Sequence, residues 1–73
     1  MANNRRNASR SANFTERELD VIALLKQGMS NKRIGSQLKI RERTVEFHLS
    51  NIFRKLGVSS RGRAIAKLLA KRK

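Results

Sequence analysis

The chain has 73 residues, enough for one small domain, and its 18 Lys+Arg against 5 Asp+Glu leave a formal net charge of +13, which points to a polyanionic partner. There is no Cys and a single His, His48, so disulfides, thiolate metal sites and a zinc ligand set are excluded, and the scattered acids form no carboxylate cage. The longest apolar run, Val21 to Leu25, is too short to cross a bilayer, and the N-terminus lacks the apolar stretch of a signal peptide. A cytoplasmic protein with no cofactor, no metal, no membrane partner and no small-molecule ligand is the expectation.

Residues 1–13 are rich in Asn, Ser and Arg and, beyond Met1 and three alanines, hold no aliphatic or aromatic side chain, which predicts a disordered basic arm. The domain proper is expected from 14 to 73. Thr15-Glu16-Arg17-Glu18 has the form of a capping box, with Phe14 placed before it for a hydrophobic staple against Leu19. Leu19, Val21, Ile22, Ala23 and Leu25 then follow at helical spacing, and Gly28 is positioned to end the first helix in the left-handed conformation.

Ser30 is the expected cap of a second helix, about 31 to 38, with Ile34 and Leu38 facing inward. Gly35 within it costs about 1 kcal/mol relative to Ala, which implies a neighbouring helix close by. Lys39-Ile40-Arg41 reads as a turn with Ile40 as its buried peg. A third helix is predicted over about 42 to 56, ending at Gly57. Ser59 or Ser60 caps a fourth that runs to about 70 and carries Ala64, Ile65, Leu68 and Leu69. Nothing reads as a strand. The fold class is all-α, four helices with a tight turn between the second and third, a helix-turn-helix organisation.

The third helix carries the most information. At about 100° per residue, Val45, Leu49, Ile52 and Leu56 form one narrow apolar stripe. Arg43, Phe47, Ser50 and Arg54 lie opposite, with Glu46 on the shoulder. In a DNA major groove an arginine can donate to guanine or bridge phosphates, a carboxylate can accept from cytosine, and an apolar ring can touch a thymine methyl. The blander readings are core or oligomer packing for Phe47 and an ion pair with Arg43 for Glu46. His48, beside the apolar stripe, reads as a packing residue; no Ser or carboxylate is placed to make a triad, so no catalytic site is expected. Charge is distributed to match: all five acids lie between 16 and 46, and from Phe47 to Lys73 there are eight bases and no acid. Phosphate contacts would relieve that field by releasing counterions.

These residues together resemble the LuxR/FixJ-type (GerE-like) helix-turn-helix domain. The opening matches in Thr15, Arg17, Glu18 and Val21, the second-helix piece in Gly28, Ser30, Asn31, Lys32 and Ile34, and the third-helix core in Thr44, Val45 and His48. The match continues through Asn51, Ile52, Lys55, Leu56, Val58, Arg61 and Ala64, covering residues 14 to 70. The resemblance implies a bacterial transcription regulator that binds double-stranded DNA, as a homodimer on an inverted repeat, paired through its last helix. It implies base contacts by Glu46, Phe47 and Ser50, and places Ser30, Asn31, Lys32, Arg43, Thr44, Asn51, Lys55 and Arg61 near the phosphate backbone. Arg43 is thereby open to either use.

Where the family often has a cationic residue this chain has Glu46, so base preference does not transfer. Arg41 stands where a Ser cap for the third helix is common, which weakens the cap and adds a cation near the backbone; with Arg54 it joins the phosphate-binding candidates. Arg33 replaces the acid that often closes the second helix's capping box. On the fourth helix Ala64 and Leu68 share one line and Ile65 and Leu69 another, so one line can seal the core and Ile65 and Leu69 can meet a partner subunit; both lines as core is the alternative. Cations at Lys67 and 71 to 73 would crowd a two-fold axis, so the dimer is expected mainly on DNA. A nonspecific basic nucleic-acid binder, or a module like region 4 of sigma factors that acts through RNA polymerase, are the competing functions. Most such domains follow a receiver or ligand-sensing domain that this sequence does not include, so a stand-alone member and an excised fragment are both open, with Met1 before a polar arm leaning to the first.

Overall fold

The computed structural model describes residues 13–70. The expected arm, apart from Asn13, and the last three residues lie outside that range. Four helices follow in order, α1 (Glu16–Lys26), α2 (Asn31–Leu38), α3 (Glu42–Leu56) and α4 (Arg61–Leu69), with no strand among the described residues. The four-helix, helix-turn-helix reading therefore stands.

Local chemistry accounts for the helix ends. Thr15 Oγ1 accepts from the Glu18 backbone N–H at 3.0 Å, and Glu18 Oε1 accepts from the Thr15 N–H at 3.0 Å, closing the capping box. Ser30 and Ser60 cap α2 and α4 by accepting from the N–H groups of Arg33 and Arg63. Arg41 precedes α3 and makes no side-chain cap bond, as its chemistry requires, since a guanidinium only donates. Gly28 and Gly57 adopt positive φ of 85° and 75° after α1 and α3. Lys39 does the same after α2, with φ 59°, and a non-glycine residue held there marks a tightly determined turn.

That turn explains Gly35. A Cβ at this position would stand 2.8 Å from the Ile40 carbonyl oxygen and 3.5 Å from the Glu42 backbone nitrogen. The close approach inferred from the glycine is real, but its source is the turn's own backbone folding over α2 and not the side of a packed helix. This lets α2 and α3 meet across three residues.

The core is one cluster: Val21, Ile22 and Leu25 from α1, Ile34 from α2, and Val45, Leu49 and Ile52 from α3, with Ala64 of α4 also fully buried. Met29, Leu38, Ile40, Phe53, Leu56, Ile65 and Leu68 pack around its edge. Two α1 residues do not join it. Leu19 is 42% exposed and Ala23 is exposed, because on the helical wheel both lie opposite the Val21–Leu25 line. The middle of that buried line is occupied instead by a charged residue, Glu18, only 3% exposed.

Candidate nucleic-acid interface

α3 is the helix about which the others are arranged, packing against α1, α2 and α4. Its inward stripe of Val45, Leu49 and Ile52 is buried and Leu56 is half-buried. With that side committed, the residues at i, i+3, i+4, i+7 and i+11 from Arg43 are forced outward. Arg43, Glu46, Phe47, Ser50 and Arg54 are all exposed. Phe47 is 63% exposed, and its ring sits edge-on to His48 with centroids 5.7 Å apart. The fold leaves this aromatic uncovered.

The flanks of α3 differ. On one, Asn31 of α2 and Arg61 of α4 meet Glu46, Leu49, Ser50 and Phe53 around an open hollow. Ser30 and Lys32 are exposed at the adjoining end of α2, and Asn31 is half-buried. Arg41 is exposed in the turn and Thr44 half-buried in the first turn of α3. Asn51 is half-buried on the opposite flank, the side that carries His48 and Lys55. These neutral donors and cations border the exposed face on both sides.

Two of the expected phosphate ligands have internal partners. Lys55 Nζ donates to Glu18 Oε1 at 2.6 Å and to the Asn13 carbonyl at 2.9 Å, and lies 5.7 Å from the Phe14 ring centroid. Arg61 donates through Nη1 to Asn31 Oδ1 at 2.7 Å and through Nη2 to the Met29 carbonyl at 2.6 Å. Lys67, expected near a dimer axis, donates to the Leu56 carbonyl at 2.8 Å and so closes the C-terminus of α3.

Glu18 is the residue whose part the sequence reading understated. Burial of its carboxyl opposes ionisation. The hydrogen bond from Lys55, the Thr15 N–H and the positive charge of Lys55, with a smaller electrostatic contribution from His48, more than offset that and hold its pKa below the usual glutamate value. Its cap role was legible; its burial follows from the packing of Val21, Ile22 and Leu25, which fixes the face of α1 that turns inward.

On α4, Ala64 is buried, Ile65 is half-buried against the core, and Leu69 is 60% exposed. The Ile65–Leu69 line is thus split: Ile65 packs largely against the core and Leu69 is exposed. Among the described residues no group of His, Asp and Glu could hold a metal ion, and no helix is long and apolar enough to cross a membrane.

The exposed face of α3, framed by α2 and the turn, is matched at the sequence level by a family model. Residues 12–68 match the bacterial regulatory proteins of the luxR family. The chain belongs to that family. It carries the family's helix-turn-helix DNA-binding domain of transcription regulators, a family of non-enzymes. Over 59 residues it is 53% identical to the nitrate/nitrite response regulator protein NarP of Escherichia coli (strain K12), covering 81% of this chain and 27% of that protein. Over 56 residues it is 47% identical to the spore germination protein GerE of Bacillus subtilis (strain 168), covering 77% of this chain and 76% of that one. The transcriptional regulatory protein LiaR of the same Bacillus strain is 43% identical over 58 residues, 80% of this chain and 28% of its own length. The chain thus spans about a quarter of two of these relatives and three quarters of the third.

Proposed function

We propose that this domain regulates transcription in the bacterial cytoplasm, at the nucleoid, by binding double-stranded DNA sequence-specifically with α3 in the major groove. The observation that carries the reading is the exposed line Arg43, Glu46, Phe47, Ser50 and Arg54, and above all the uncovered Phe47 ring. A merely solubilising face would not hold an aromatic there. Glu46, Phe47, Ser50 and Arg43 read base edges. Ser30, Asn31, Lys32, Arg41, Thr44, Asn51 and Arg54 meet phosphates. Lys55, already paired with the buried Glu18, serves the fold first.

The binding unit is a homodimer on an inverted repeat. Leu69 supplies the exposed apolar contact on α4 and Ile65 the margin it leaves at the surface. With so much positive charge and so little apolar area, pairing forms mainly on DNA.

Selection of preferred duplexes from a random DNA pool at physiological salt tests this. An enriched inverted repeat is the expected result, and Glu46→Ala or Phe47→Ala then shifts which sites are preferred. A pool bound without enrichment and with a steep salt dependence would replace the reading with nonspecific nucleic-acid binding. Retention by RNA polymerase in place of DNA would favour a sigma-region-4-like module.

A further inference from the structure

The contact that stands out beside the proposed DNA face is the reach of Arg61 across the domain. Arg61 is the first residue of α4 and Asn31 the first residue of α2, thirty positions apart in the chain, and one guanidinium joins them. Its second arm grips the Met29 carbonyl in the loop that delivers α2. The two bonds, at 2.7 and 2.6 Å, use the fork of the guanidinium on two neutral acceptors from one loop.

The consequence is a polarity. Arginine offers donors only, so the side-chain atom of Asn31 that faces it must be the carbonyl oxygen. Asn31 and Arg61 both line the hollow bordered by Glu46 and Ser50 of α3, and with its carbonyl oxygen held by Arg61 the Asn31 amide has its NH2 left to offer a ligand there. A carboxamide whose acceptor is occupied suits a group that only accepts hydrogen bonds. A backbone phosphate oxygen is such a group. Without the clasp, the amide could rotate and present either end.

We propose that Arg61 is a positioning residue that acts through Asn31, keeping the side-chain NH2 free so that the first residue of α2 donates to a DNA phosphate. This rests on the DNA-binding reading above and deepens it. It differs from the sequence expectation, in which Arg61 meets a phosphate by its own charge. Lysine at position 61 would keep the charge and lose the fork, and that separates the two roles.

The test is a double-mutant cycle on affinity for a labelled random-sequence duplex, since phosphate contacts do not depend on sequence. Asn31→Ala and Arg61→Lys should each weaken binding about tenfold, the double variant should be no weaker than either, and all three should keep the wild-type salt slope. Wild-type-like binding by Arg61→Lys would overturn the proposal, as would losses that multiply in the double variant. Nuclear magnetic resonance of the wild-type domain gives a readout that needs no variant to fold. Titrating the duplex should shift the Asn31 side-chain NH2 signals more than the Arg61 guanidinium signals, and the opposite order would overturn the idea. If the wild-type domain fails to bind duplex at all, the DNA-binding reading falls and this inference with it; wild-type binding with unaffected variants removes this inference alone.

Discussion

Two long-range clasps hold this domain, and they differ in what receives the cation. Lys55 on the far end of α3 reaches a buried carboxylate, Glu18, whose side chain is 5% exposed. Arg61 on α4 reaches two neutral oxygens, at Asn31 and Met29, beside the proposed DNA face. The first pair cancels its own charge and ties α1 to α3 away from the exposed line of α3. The second leaves its positive charge uncancelled next to the place where a polyanion would sit. Two basic residues that look alike in a sequence are thus divided by their partners into a structural lock and an interface support.

The largest expected effect comes from breaking the first clasp. Lys55→Met leaves the Glu18 carboxylate buried without its cation, which should cost about 3 kcal/mol in urea unfolding. Adding Glu18→Gln should recover part of that loss; if it recovers nothing, the damage lies in packing and not in the unpaired charge. The same pair sets an acid limit. Because the folded-state pKa of Glu18 is lowered, its contribution is complete above the ordinary glutamate range and is lost as pH falls through the lowered value. Thermal melts should therefore show an acid-side loss of stability that Glu18→Gln flattens.

Gly35→Ala comes next. Alanine gains about 1 kcal/mol of helix propensity. Its Cβ, however, would meet the Ile40 carbonyl oxygen at 2.8 Å, and backbone cannot swing aside as a side chain does. A net loss of about 1–2 kcal/mol is expected, and a stabilised variant would show that the turn is softer than its left-handed Lys39 implies.

The smallest effect sharpens the comparison from the DNA side. Arg41→Ser supplies the cap that α3 lacks and should add about 1 kcal/mol of stability. If Arg41 meets a phosphate, the same change should lower the slope of log affinity against log salt by about one. Stability raised with an unchanged slope would remove Arg41 from the phosphate contacts.

Much of the molecule was legible before folding. Five of the eight helix ends carried their own chemistry within a few residues: the capping box at Thr15 and Glu18, serines at 30 and 60, and glycines at 28 and 57. The outward line of α3 followed from the period of a helix once Val45, Leu49, Ile52 and Leu56 were taken as its inner stripe. The apolar-rich run of α1 admits more than one inward face, and only the packing of Val21, Ile22 and Leu25 against the core leaves Leu19 and Ala23 outside it. Glu18 shows its cap role in the sequence, while its burial and its pairing with Lys55 come from that packing.

The sequence by itself determined the four helices, their caps and the face that α3 turns to solvent, because those depend on residues within one or two turns of each other. Which cations would be left over for a partner was decided only by the tertiary structure. Lys55 lies 37 residues from Glu18 and Arg61 lies 30 from Asn31, so nothing local marks either pair. A long basic side chain finds its acceptor wherever packing brings one within reach, and packing brings distant segments together that no spacing along the chain records.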